Sequence, residues 1–366
     1  MPLPSASRFT LHAHPLLDVY IKKQLKTIVR YLCERHPANV LSEVWLGGSF
    51  GRGEGASLRS STGDQPSGDY DVFLIYHTDS LTDTDPYRVQ YASWEQALFQ
   101  QLNFKVQLRT PGSLRQLYQS SYALRWYDLC QKHQKLWIAP HIERKPVTVD
   151  LSPLDVSNSL RLLFWCAGTI LSQDKLGMDD FYRVVLWVCD SVLIASSCYH
   201  HTLEGRLQNM YRLQHVLGVT WLRELFYLQQ EAIRYRTEPD LVEAQGYKPS
   251  ALLKPFVSRA YLTAYTGIEQ QGAQEAFQAL KPVHLLKNID RLDFFSGSKK
   301  QLVGLLYVLP FLMLSLSQWP ALSQIRPFIS LRFYRRLYLL KPSEQRDLLQ
   351  AHFLEKWQQF EEGLRP

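Results

Sequence analysis

At 366 residues, 46% hydrophobic and 20% charged, the chain has the composition of an ordinary soluble globular protein and the length for one or two domains. Its five cysteines (Cys33, Cys130, Cys166, Cys189, Cys198) are scattered, odd in number and without metal-ligand spacing, which points to buried thiols in a reducing, cytoplasmic setting. A net charge of +7 and a pI near 9.0 fit a polyanionic partner such as an NTP or RNA, and fit a mildly basic protein with no such partner equally well.

Met1 to His14 lacks the basic start, apolar run and small-residue cleavage site of a secretory signal, and reads as a short arm. Leu16, Leu17, Tyr20, Ile21, Leu25, Ile28, Val29 and Leu32 recur at helical spacing, with Lys22, Lys23 and Lys26 on the other face. That helix ends near His36-Pro37-Ala38-Asn39. An apolar strand, Val44 to Leu46, then stops at a Gly47-Gly48-Ser49 turn. Residues 56–67 form a linker of loop composition. A second strand, Val72 to Tyr76, is preceded by Asp69 and Asp71.

Side chains alternate along a strand, so Asp69 and Asp71 share a face, roughly 6.5 to 7 Å apart. Two carboxylates so placed repel unless a cation bridges them or one is protonated. A hard cation such as Mg²⁺ suits the pair, above all when substrate phosphates complete its shell. Gly47, Gly48 and the Ser49 hydroxyl allow close backbone approach and supply donors for a phosphate. Arg52 can pair with phosphate or with Glu54.

After a polar connection, Tyr87 to Leu102 reads as a helix. The connection holds another acidic pair, Asp83 and Asp85, but with no strand beside it and Pro86 directly after; a helix cap in solvent is expected there. Phe104 to Leu108 alternates as a strand, and Thr110-Pro111-Gly112-Ser113 opens a helix running to about His133. Leu136 to Ala139 and Val147 to Leu151 are extended, the second ending in Asp150 after alternating β-branched residues.

Beyond Ser157 the pattern turns helical. Phe181, Val184, Val185, Val188, Val192 and Ile194 make one stripe. Leu207, Tyr211, Leu213, Val216 and Leu217 make the next, followed by Trp221, Leu222, Leu225, Phe226 and Leu228. Helices are also expected over 249–265, 272–280, 299–317 and 343–362, with turns at Gly177, Gly218 and Gly246 among others. Leu302 to Leu316 is short for a membrane span and carries Pro310, which favours a buried helix. Arg332 to Tyr338 interleaves basic and aromatic residues, as an RNA-holding surface or an amphipathic helix would. His200-His201 has no acidic or cysteine partner at ligand spacing.

Gly48-Ser49-Phe50-Gly51-Arg52-Gly53-Glu54, followed by Gly68-Asp69-Tyr70-Asp71-Val72, resembles the signature of the DNA polymerase β-like nucleotidyltransferase superfamily. One departure is the longer interval between Ser49 and Asp69. The resemblance implies an α+β fold: a small mixed sheet flanked by helices over residues 1–175, followed by an all-helical domain over 176–366 that binds substrate or nucleotide. It implies transfer of an NMP from an NTP to an acceptor hydroxyl or phosphate, with release of pyrophosphate. Two Mg²⁺ ions (or Mn²⁺) would be held by Asp69, Asp71 and a third carboxylate on a neighbouring strand, for which Asp150 is the candidate and Asp155 the competitor. Gly47, Gly48, Ser49 and Arg52 would hold substrate phosphates. The acceptor stays open between a nucleotide or RNA and a small molecule. Two other readings remain: a catalytically inactive member that binds nucleotide or a protein partner, and a peripheral membrane protein acting through 302–340.

Overall fold

A computed structural model describes residues 8–11, 15–37, 39–59, 63–77, 86–119, 124–140, 154, 156–238, 246–266, 344, 347–355 and 358. The fold is α+β, and the chain divides into two compact units. The first is Met1–Leu154 with His200–Gly205 and Ile233–Ala244. The second is Asp155–Tyr199, Arg206–Ala232 and Gln245–Pro366. The division therefore falls before the expected boundary near 175, because the helix that opens the second half, α6 (Val156–Ser172), packs against helices of the second unit.

In the first unit, α1 (Pro15–Cys33) buries Leu17, Ile21, Leu25, Ile28 and Leu32, the face that the three-and-four spacing predicts. Leu16 and Tyr20, expected on that stripe, are exposed. The strand β1 (Leu41–Leu46) leads into α2 (Gly48–Arg52), a short helix where a turn was expected. The ends of the 56–67 linker pair as two short strands, β2 (Ala56–Leu58) and β3 (Gln65–Ser67), rather than remaining loop. β4 (Asp69–Tyr76) then begins at the first acid itself. Helix α3 (Tyr91–Leu102) is the crossover that a parallel partner requires, and β5 (Lys105–Ser113) returns beside β4. β6 (Gln134–Ile138) completes a four-stranded sheet of order β5-β4-β1-β6, parallel between β4 and β5 and antiparallel elsewhere.

The helix expected over 110–133 is a correction. The chain stays extended to Ser113 and only then forms α4 (Leu114–Gln119) and α5 (Leu124–Gln131). β5 is the edge of the sheet and its register against β4 shifts between Arg109 and Gly112, so Pro111 sits in the strand without breaking a ladder bond. Gly112 takes φ +87°, and its N–H donates to the Thr110 hydroxyl at 2.8 Å.

One face of the sheet is apolar throughout. Val44, Leu46, Tyr70, Val72, Leu74, Val106 and Leu108 meet α1 and α3 there. The other face is divided. Trp45, Phe73 and Ile75 pack under Leu117 and Leu129 of α4 and α5, while the alternate positions at the start of β4 and β5 carry polar side chains.

In the second unit, α6 lies against α7 (Met178–Ala195), joined by a hydrogen bond of 2.7 Å between the Ser159 and Ser191 hydroxyls. α7 buries the stripe read from the sequence, Phe181 to Ile194. The helices α8 (Leu203–Leu217) and α9 (Thr220–Thr237) follow, with Leu203–Gly205 and the residues from Ile233 onward belonging to the first unit, and α10 (Lys254–Thr266) packs on α6 and α7. Tyr211 and Val216, expected inside, are exposed; on α8 the buried line runs instead through Arg206 and Met210. Arg206 is held inside by Asp190, at 3.0 Å, and by the Tyr199 ring below its guanidinium. The unit is not wholly helical: β7 (Lys175–Gly177) pairs antiparallel with β8 (Tyr247–Pro249), where turns were expected at Gly177 and Gly246.

Among the described residues no helix is long and apolar enough to cross a membrane. The Leu302 to Leu316 run, the Arg332 to Tyr338 stretch, the Asp83/Asp85 pair, and the helices expected over 272–280 and 299–317 lie outside the described residues.

Candidate functional site

Asp69 and Asp71 stand on the second face of the sheet, at the end of β4 where the apolar cover of α4 and α5 gives way. The β1–α2 junction is locked to the same place. The Gly47 N–H donates to the Asp71 carbonyl at 2.9 Å, and Gly51 N–H closes the short helix onto the Gly47 carbonyl. Gly48 takes φ +60°, and a methyl on it would come within 2.2 Å of Asp71 Oδ2. The Asp71 carboxylate is thus seated directly on a glycine Cα, beside Ser49. Of the residues singled out in the sequence, Gly47 and Gly48 meet Asp71, Asp69 lies two residues before it on β4, and Ser49 follows Gly48 in α2.

Arg52 is elsewhere. It is buried, its Nε donates to Glu54 at 3.0 Å, and its NH1 lies 3.7 Å from Asp128. Of the two partners the sequence offered it, phosphate and Glu54, the structure gives it the carboxylate. Glu54 uses its other oxygen to accept the Leu203 N–H at 2.7 Å, so the Arg-Gly-Glu segment is a buried strut between α2 and the first residues of α8.

The strand beside the acidic pair carries what sequence reasoning missed. In register, Lys105 lies opposite Asp69, Gln107 opposite Asp71 and Arg109 opposite Phe73. The Gln107 amide donates to Asp69, and Arg109 donates to the Gln107 carbonyl oxygen and, at 3.3 Å, to Asp71 Oδ1. Burial first, and the Asp71 charge second, push the Asp69 carboxyl above its ordinary range; Lys105, Arg109 and Arg236 pull it back. The alternation of Lys105-Val106-Gln107-Leu108-Arg109 was a legible signal, since it puts the three polar residues on one face. Arg236 offered none: it arrives from a distant part of the chain.

The donor set fits one divalent ion. Asp69, which burial and the Asp71 charge disfavour as a carboxylate, loses that penalty when a cation lies between the two. Among the described residues no group of three or more His, Cys, Asp or Glu side chains is placed to hold a metal. The partner for a second ion, Asp150, lies outside the described residues, as does Asp155. On β1 the buried Glu43 is not a substitute. It is opposite Ile75, beyond Trp45 and Phe73, where it accepts from Trp45 Nε1 at 2.6 Å and pairs with Lys135 at 3.0 Å. The His200 and His201 rings stack on each other at 4.4 Å, apart from any such group.

Comparison finds no family model, no curated protein and no solved structure that matches this chain. The site must therefore be read from its own chemistry. Asp69 feels the charges of Asp71, Lys105, Arg109 and Arg236, and the Asp71 carboxylate closes against Gly48.

Proposed function

We propose that the protein is a metal-dependent nucleotidyltransferase, moving an NMP from an NTP to an acceptor hydroxyl or phosphate and releasing pyrophosphate. The observation that carries this reading is the seating of Asp71 on Gly48, with Asp69 on the same strand face and three cations acting on Asp69. A metal-bound triphosphate needs both halves at once: oxygen ligands for the cation, and donors for the phosphate charge. Asp69 and Asp71 would hold a divalent ion (Mg²⁺ or Mn²⁺), which supplies charge neutralisation at the transferring phosphorus. Ser49 and the backbone beside Gly48 would bind the distal phosphates, helped by Lys105 and Arg236. Asp150 would be the third carboxylate and the base that takes the acceptor's proton.

A second reading has its own observation. The β5 side chains that bond Asp69 and Asp71 are an amide, Gln107, and a guanidinium, Arg109, not an acid. A site completed in that way binds a nucleotide without transferring it. Incubation of the full chain with each α-labelled NTP and Mg²⁺ or Mn²⁺ separates the two. Label transfer lost in Asp69→Ala/Asp71→Ala and in Asp150→Asn supports the transferase, and the labelled product names the acceptor. Nucleotide binding with no transfer supports the binding module. Transfer that survives Asp69→Ala/Asp71→Ala would sink the site assignment.

A further inference from the structure

Arg109 already occupies the edge of the acidic pair that an incoming cation would use. Its Nε donates to Asp71 Oδ1 at 3.3 Å, and its NH2 donates to the Gln107 carbonyl oxygen, while the Gln107 amide donates to Asp69. One guanidinium therefore reaches both carboxylates, directly on one and through an amide on the other. Its side chain is 20% exposed and that of Asp71 27%. The contact is shielded enough to count and open enough for a ligand to enter.

We propose that Arg109 is the resident counter-cation of this site and exchanges partners on loading: a divalent ion takes Asp71, and the guanidinium turns to the polyphosphate that arrives with it. The exchange rests on the nucleotide-site reading above. A guanidinium and a divalent ion compete for the same carboxylate, and a dication beside Arg109 repels it. The ion alone must displace Arg109 and leave it without an anionic partner at this edge. An ion bound to a polyphosphate brings the replacement, and the planar five-donor fork suits phosphate oxygens in two-point contact. Lys105 and Arg236 act on Asp69, at the other end of the pair. Arg109 therefore makes the site selective for a metal–polyphosphate complex over either component.

The exchange has a signature that a structural role lacks: removing Arg109 moves two affinities in opposite directions. The full chain and its Arg109→Met and Arg109→Lys variants are titrated with Mn²⁺ alone, followed by the loss of the free-ion electron paramagnetic resonance signal. They are then titrated with Mn²⁺-saturated ATP by equilibrium dialysis. Arg109→Met is expected to bind Mn²⁺ alone about tenfold more tightly and the Mn²⁺–ATP complex about tenfold more weakly, the worth of one charge-assisted hydrogen bond in each case. Arg109→Lys, which keeps the charge but not the fork, is expected between Arg109→Met and the parent, and decides the question if Arg109→Met does not fold. Affinities that both fall, both rise or both stay overturn the exchange and leave the nucleotide site standing. A parent chain that binds neither Mn²⁺ nor Mn²⁺–ATP overturns both.

Discussion

Asp71 and Gly48 are in contact across the strand–helix junction, and the contact has room for a hydrogen but not for a methyl: an added Cβ would come within 2.2 Å of Asp71 Oδ2. The same glycine holds φ +60°, a conformation that costs an L side chain about 1–2 kcal/mol by itself. Gly48→Ala is therefore expected to lose stability by about 2 kcal/mol or more and to push the Asp71 carboxylate out of register with Asp69. Urea unfolding reads the first effect and Mn²⁺ titration the second. A variant with parental stability and Mn²⁺ affinity would show that the carboxylate does not depend on this seat.

How the site could be read in advance follows from the same junction. Glycines at 47 and 48 and acids two apart on an apolar strand are local signals, and local signals survive because strand alternation and close approach act over a few residues. Arg109 was just as regular, but a cation beside two acids has no meaning until the strand's neighbour is known, and pairing β4 with β5 is a tertiary fact. Pro111 misled for a related reason. Proline fits the first turn of a helix and the edge of a sheet equally well, and only the position of β5 at the edge decides between them. On α8, Tyr211 and Val216 kept helical spacing yet face outward, because the Arg206–Asp190 pair sets which side of the helix is buried.

The buried strut of Arg52 and Glu54 should matter for folding and not for phosphate. Glu54 is 5% exposed and serves both the Arg52 guanidinium and the Leu203 amide. Truncating one member of such a pair leaves a buried charge uncompensated, at a cost of about 3–5 kcal/mol. Glu54→Ala and Arg52→Met are each expected to lower the urea midpoint strongly. The folded fraction of Arg52→Met should hold Mn²⁺–ATP within about twofold of the parent, a difference too small for a lost charge-assisted hydrogen bond. A tenfold loss of affinity would restore Arg52 to the phosphate site.

His36 ties stability to pH. Its Nδ1 lies 2.8 Å from the Leu32 carbonyl, which can only accept, so Nδ1 carries the hydrogen. Nε2 then accepts from Tyr76 at 3.2 Å, and Tyr91 can donate to Tyr76 at 2.7 Å. Protonating Nε2 would turn the Tyr76 hydroxyl into the acceptor there, with its hydrogen moved to Tyr91, and would leave a charge in a box of Tyr76, Tyr87 and Trp94. Burial is the main cause that lowers the pKa of His36 below 6.5, outweighing the backbone hydrogen bond that raises it. With the folded value below the unfolded one, the contribution is fully present above about 6.5 and is lost as pH falls through the folded value. Melting temperature should drop between pH 7 and 5, with a shallower slope in His36→Gln. His133 and His201, also lowered chiefly by burial, should carry part of what remains. An unchanged slope in His36→Gln would remove His36 from the account.

The acidic pair itself should be a source of instability. Asp69 pays for burial and for the neighbouring Asp71 charge, and its carboxyl is shifted up as a result. A group whose folded pKa is raised in this way opposes folding once it is ionised, so the penalty is present at neutral pH and fades as the carboxyl is protonated. Asp69→Asn keeps the shape and an oxygen for the Gln107 amide, and removes the charge. It is expected to melt higher than the parent at pH 7, by a degree or two for a chain of this size, with the gain shrinking toward pH 4. The same change should abolish Mn²⁺ binding, because one carboxylate with Arg109 beside it is a poor seat for a dication. Stability gained and binding lost together mark a site kept for function; Asp69→Asn that melts lower at pH 7 would instead make the carboxylate a structural acceptor for Gln107.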